Sequence, residues 1–231
     1  MGDLASFGQT LSVWLIPVIL AITLHEAAHG WMAEKLGDDT ARRLGRVSAN
    51  PIRHVDPFGT LLLPGFLVLA GSPFLFGWAK PVPVAFHRLN NPKRDMMWVA
   101  LAGPGSNILM ALAAGLLLHL ANYLPGNVGE WVGTNLVNAI QANVVLAVFN
   151  MLPILPLDGG RVLTGLLPTP LAIRFARTER YGLLVMIGLL FLLPMLLRQR
   201  GVPFNPVFAV IGPIMDWLIH LVLAVTGWNF G

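Results

Sequence analysis

The five residues His25-Glu26-Ala27-Ala28-His29 are the part of this sequence best equipped for chemistry. On a helix, positions four apart lie on one face, so both imidazoles can reach a single metal ion. Glu26 stands beside the first of them, where its carboxylate can take a proton from water held by that metal. Two histidines and a carboxylate suit catalytic zinc and leave a coordination position for that water. Zinc lowers the pKa of such water from roughly 16 to about 7 and polarises a carbonyl. The pattern alone also fits a bland helix with two satisfied histidines and a surface glutamate.

A third ligand is then expected far along the chain, and Asp158 is the best candidate. It lies in Asn150-Met-Leu-Pro-Ile-Leu-Pro-Leu-Asp-Gly-Gly-Arg161, directly after an apolar segment. Pro153 and Pro156 end that helix, while Gly159 and Gly160 allow close backbone approach. The rival reading is an interfacial loop in which Asp158 pairs with Arg161. Asn107, after Gly103, Pro104 and Gly105 in an apolar stretch, has two readings: lining the active cavity, or marking a small-residue packing site. His54 and Asp56, in a polar proline-bearing stretch, either reach a neighbouring polar site or occupy a loop. A structural or gating role is favoured for His54, since three ligands are already supplied. His87, His119 and His220 read as solvated or packed.

The elements that must position these groups are membrane helices. The chain has 231 residues, 55% hydrophobic and only 11% charged, with a mean hydropathy of +0.69. Soluble domains carry about 25% charged residues, and about 20 apolar residues cross a bilayer as a helix. Apolar segments at 11–36 (with Pro17 loosening its first turns), 96–123, 131–151, 181–197 and 202–228 predict an all-α polytopic membrane protein with five to six transmembrane helices. Short extended or β pieces are expected near residues 45–56 and 77–84. The passage 58–78 reads either as a further span or as a re-entrant segment that keeps both flanking loops on one face. No repeat or soluble linker divides the chain. One membrane-embedded domain over 1–231 is expected, with a catalytic core at about 8–165 and C-terminal membrane helices at about 177–228.

A net charge of +4 does not point to nucleic acid, because the basic residues cluster in three gaps between apolar segments. Loops 37–57, 77–95 and 161–180 hold most of the Lys and Arg, which predicts that they are cytoplasmic. The N-terminus lacks the basic residues of a cleaved signal peptide. With no cysteine, disulfides and thiolate metal sites are excluded. In a membrane helix each ionisable group costs at least ~2.5–3.5 kcal/mol at the bilayer centre. That cost turns His25, Glu26 and His29 from an ambiguous match into a functional expectation.

Together these residues resemble the site-2 proteases, the intramembrane zinc metalloproteases. The resemblance rests on His25–His29 in an apolar helix and on the Asn150–Arg161 stretch. It extends to Gly77–Val84 and to Ala102-Gly-Pro-Gly-Ser-Asn107. It looks closest to the short prokaryotic branch without a PDZ insertion or a C-terminal regulatory domain, which implies a prokaryotic inner or plasma membrane. The resemblance implies one catalytic Zn2+ held by His25, His29 and Asp158, with Glu26 as the catalytic base. It also implies that Asn150 orients substrate or stabilises an oxyanion, and that the substrate is a transmembrane protein. The extended stretch 77–84 could pair with an unwound substrate as an added strand. Two other classes compete: a membrane metal carrier or transporter, and an inactive scaffold that binds membrane helices.

Overall fold

The structure is a computed structural model and describes residues 2–62, 65–66, 77, 79–202 and 204–228. Long uncharged apolar sequence forms helices because, in lipid, a helix satisfies its own backbone groups. The elements are α1 (Gly2–Lys35), the short α2 (Thr40–Arg43), α3 (Pro92–Ala121), α4 (Gly126–Asn150), α5 (Asp158–Leu166), α6 (Thr169–Ala176), α7 (Glu179–Gln199) and α8 (Pro206–Val225). Among the described residues, five helices are long and apolar enough to cross a membrane: Gly8–Lys35 within α1, then α3, α4, α7 and α8. The protein is an all-α polytopic integral membrane protein.

Prolines 17, 104 and 213 lie inside α1, α3 and α8 without ending them. Helix α1 therefore begins well before Leu11 and runs through Pro17, where looser first turns were expected. Among the described residues no strand forms. The stretch 45–56, expected to hold extended pieces, instead carries a 3-10 turn at Pro51–His54. The Asn50 side chain accepts the Ile52 N–H at 3.0 Å and starts that turn, overriding the β preference of the Val and Ile residues. Residues 79–85 run as a strap without regular structure. Most of the 58–78 passage lies outside the described residues, and its first part, Pro57–Leu62, is a wide helical turn.

Helices α3 and α4 form an antiparallel hairpin, and α1 packs against both. Their contact surfaces use small residues, Ala21, Ala111, Ala114, Ala142 and Ala147, all buried. Small side chains let helix backbones approach where lipid offers no hydrophobic driving force. Helix α8 closes one side: Val207, Ile211 and Val222 join Ala111, Ala114, Ile140 and Val144 in one cluster. Its end is fastened at Gly115, where a Cβ would stand 2.6 Å from Thr226 Oγ1. The Trp228 indole donates to the Gly115 carbonyl at 2.9 Å and stacks on His119, which bonds to the Thr226 carbonyl at 2.7 Å. His119 is thus a packed residue.

The C-terminal end of α1 turns sharply. Gly37 has φ +109°, and the Asp38 N–H returns to the Ala33 carbonyl at 2.9 Å. The fully buried Asp38 carboxylate then accepts the Thr40 hydroxyl and the Ala85 N–H, the latter at 2.6 Å. This ties one end of the strap to the end of α1.

Candidate metal centre and active site

His25 and His29 leave one face of α1 a turn apart, and both are buried. His29 Nδ1 lies 2.7 Å from the Val99 carbonyl, which can only accept, so the Nδ1 carries the proton. His25 Nδ1 donates in the same way to Asn107 Oδ1 at 2.6 Å. The amide of Asn107 is oriented by its other end, which donates to the Ala21 carbonyl at 3.3 Å and to Asn143 Oδ1 at 2.8 Å. Asn143 in turn donates to the Ala139 carbonyl at 2.8 Å. Both imidazoles are therefore held as the tautomer whose Nε2 presents a lone pair.

Those two lone pairs face each other. The Nε2 atoms are 3.0 Å apart, and Asp158 Oδ2 lies 3.3 Å from His25 Nε2 and 3.4 Å from His29 Nε2. Among the described residues, the buried Asp158 Oδ2 has no hydrogen-bond partner. Three acceptors crowded together repel unless a cation lies among them. Ligands about 2.0–2.1 Å from one tetrahedral zinc stand about 3.4 Å apart, close to the spacing seen here. The donor set fits one metal ion of this kind.

Local structure explains the convergence. Asp158 is the first residue of α5, which follows the turns at 151–157. A Cβ on Gly159 would collide with the Met151 carbonyl, and one on Gly160 would stand 2.6 Å from Leu155 N. The paired glycines thus let the start of α5 press against the preceding backbone and fix Asp158. Gly103 does the equivalent on α3: a Cβ there would lie 2.6 Å from His25 Cε1 and closer still to His29 Nε2. Arg161 does not pair with Asp158. Its guanidinium lies 3.6 Å from Glu179 and 5.0 Å above the Phe86 ring.

A cavity of about 200 Å³ opens beside the three ligands, bordered by Glu26, Pro81, Val82, Asn150, Leu157 and Arg161 among others. Glu26 Oε2 accepts the Val82 N–H at 2.8 Å. Asn150, at the end of α4, donates to the Leu146 carbonyl at 3.0 Å and borders the cavity. Asn107 does not line this cavity: it is fully buried behind His25. His54 does not join the ligands either. It is buried, bonds the Ser48 carbonyl at 3.0 Å, and its own carbonyl accepts the Lys80 N–H at 2.9 Å. Asn143 and Arg46 carry no role in the sequence reading, and Gly103 enters it only within the stretch 102–107. An asparagine inside an apolar helix was a usable signal for Asn143. For Arg46, one basic residue among several in its loop, there was none.

Comparison with known proteins gives the family. The sequence pattern of Peptidase family M50 matches residues 126–193. A Bacillus subtilis protein named "Putative zinc metalloprotease YwhC" is 38% identical over 185 residues, covering 78% of this chain and 80% of that protein. The Mycolicibacterium smegmatis protein named "Putative zinc metalloprotease Rip2" is 30% identical over 174 residues, 74% of this chain and 64% of that one. No solved structure matches the chain. The chain belongs to the M50 peptidases, the site-2 protease family, and is a membrane-embedded zinc metalloprotease.

Proposed function

We propose that this protein cleaves transmembrane substrates by hydrolysis at the centre formed by His25, His29 and Asp158. The observation that carries the reading is the convergence of His25 Nε2, His29 Nε2 and Asp158 Oδ2 beside a cavity that Glu26 and Asn150 border. His25 Nε2, His29 Nε2 and Asp158 Oδ2 would hold the zinc ion. When bound, zinc supplies Lewis-acid chemistry, polarising the scissile carbonyl and making water nucleophilic at neutral pH. Glu26 has one oxygen, Oε2, occupied by the Val82 N–H, so Oε1 takes the proton from the attacking water. Glu26 then returns that proton to the leaving amine. The Asn150 amide, turning away from the Leu146 carbonyl, donates to the developing oxyanion.

A transmembrane helix must unwind locally to expose its carbonyls. The strap could receive it as an added strand, but only in part. Pro81 and Pro83 have no N–H, while those of Lys80 and Val82 are engaged by His54 and Glu26. A substrate would meet carbonyls and the Val84 amide. Replacing 77–84 with a flexible linker tests this role, and unchanged cleavage refutes it. His29 lies six residues, about 9 Å along the helix, from Lys35 at the basic end of α1. Water would therefore enter from the face bearing loops 37–57, 77–95 and 161–180, which we place in the cytoplasm of a prokaryotic cell.

The test is cleavage of single-span substrates by purified protein, with Glu26→Gln beside wild type and zinc measured on both. Loss of cleavage with zinc retained is expected. Equal cleavage by the two proteins refutes the mechanism.

A further inference from the structure

The strap 79–85 is held from four sides, and one of its anchors is a buried cation. Arg46 follows α2 and is 7% exposed. Its Nη2 donates to the Lys80 carbonyl at 2.6 Å and reaches the Pro81 carbonyl at 3.4 Å. The Lys80 N–H is bound to the His54 carbonyl at 2.9 Å, and the Ala85 N–H to Asp38 at 2.6 Å. Between these anchors stands Val82, flanked by two prolines. Their rings fix φ and remove the neighbouring donors, so the Val82 N–H is the sole backbone donor between Lys80 and Val84. That donor is spent on Glu26 Oε2.

We propose that Arg46 is a positioning residue for Glu26: by gripping the Lys80 and Pro81 carbonyls it holds the strap so that the Val82 N–H fixes the Glu26 carboxylate. The inference rests on the reading of Glu26 as the proton-transfer group. A glutamate side chain on a cavity wall has several rotamers, and one fixed oxygen removes most of that freedom. Misplacing a reacting group by about 1 Å can cost 10²-fold in rate. Burial pushes the Arg46 guanidinium below its ordinary value while the nearby Glu26 charge opposes the shift, in keeping with a cation kept close to that carboxylate. Arg46 touches none of the three proposed metal ligands, so its loss should spare zinc.

The test uses zinc-loaded protein in vesicles, with a fluorescent single-span helix that the wild type cleaves. Arg46→Met should lower kcat about 10–100-fold with KM changed less than about threefold. Zinc stoichiometry should be unchanged, and amide exchange across 79–85 should rise. Arg46→Lys, which keeps a charged donor, should restore most of kcat. Val82→Pro removes the donor directly, so it should show the same kcat defect, and the double variant should be no worse than either single one. Wild-type kcat in Arg46→Met, zinc loss in parallel with activity, or additive defects in the double variant would each overturn the proposal. Glu26→Gln is run alongside. If it cleaves normally, the reading of Glu26 fails, whereas a dead Glu26→Gln beside a fully active Arg46→Met sinks only the role of Arg46.

Discussion

Replacing Asn107 with leucine, a side chain of similar size, removes the acceptor of the His25 Nδ1–H while leaving all three proposed ligands in place. The bond lost is 2.6 Å long and lies in a fully buried site, where no water can replace the amide. Leaving a buried donor without a partner costs about 1–3 kcal/mol. The imidazole regains that energy by rotating or by moving its proton to Nε2, and either change takes the lone pair away from the metal. The cost therefore falls on zinc affinity, at roughly 10–100-fold, the range known for partners that orient ligating histidines. Fold stability should move less, because the substitution also removes an amide from an apolar interior. Asn143 Oδ1 loses a donor at the same time, so Asn143→Ala, one bond further out, should weaken zinc by less than about tenfold. Competition against a chelator, read as protein-bound zinc in detergent, measures the first effect, and thermal unfolding of the metal-free protein measures the second. Zinc affinity of Asn107→Leu within twofold of wild type would refute the claim that this amide holds His25.

Three further outcomes follow from close contacts elsewhere. Gly103→Ala places a methyl against both imidazoles, and the purified protein should bind little zinc while remaining folded by size-exclusion chromatography. Gly115→Val drives a side chain into Thr226 and should cost about 1–3 kcal/mol of stability; release of Trp228 from His119 would be read as a red shift in its fluorescence. For Asp38, burial would push the carboxyl up, but the Thr40 hydroxyl and the Ala85 and Thr40 amides outweigh it and hold the group below the ordinary value of 3.8. A lowered pKa contributes stability above the unfolded value that is lost as pH falls through the folded one. Asp38→Asn should therefore lower the unfolding temperature at pH 7 by several degrees, and the gap should start to shrink as pH falls below about 3.8 and close only beneath the lower folded value; a gap independent of pH would refute the assignment.

The sequence made His25, Glu26, His29 and Asp158 legible because each breaks a strong local rule. Three ionisable groups sit in an apolar helix, and a carboxylate follows a helix that two prolines end. Elements of length and apolarity were equally legible, hence α3, α4, α7 and α8. What stayed hidden depends on partners distant along the chain. Asn107 meets His25 across 82 positions and Asn143 across 36, so neither its orientation nor its task can be read from its own neighbours. Arg46 reaches the strap across 34 positions and resembles every other basic residue of its loop. Gly103 was visible only as part of a small-residue stretch, since the imidazoles it admits come from α1. At 45–56 the Val and Ile residues suggested extended chain, but the Asn50 cap before Pro51 supplied a local bond that strand pairing would have had to replace.

The polar groups in the helices divide by whether the chain satisfies them. Asn107 and Asn143 spend their amides on one another, on backbone carbonyls and on His25, while Asn138 donates to the Val13 carbonyl at 3.0 Å. Asn107 and Asn138 thereby join helices, and Asn107 has its oxygen and its amide nitrogen both engaged. His25 and His29 spend only Nδ1 in this way, and Asp158 keeps Oδ2 unpaired, so the unspent capacity of three residues from two distant parts of the chain meets at one point. In a low-dielectric interior unspent acceptors are costly, and folding would separate them unless a cation repaid the expense. The same distinction leaves Asn107 among the groups that join helices and makes Asp158 Oδ2 a group that could hold a metal. It also yields a directional expectation: zinc binding should stabilise the fold, and Asp158→Asn should abolish that stabilisation while leaving the metal-free protein at least as stable as before.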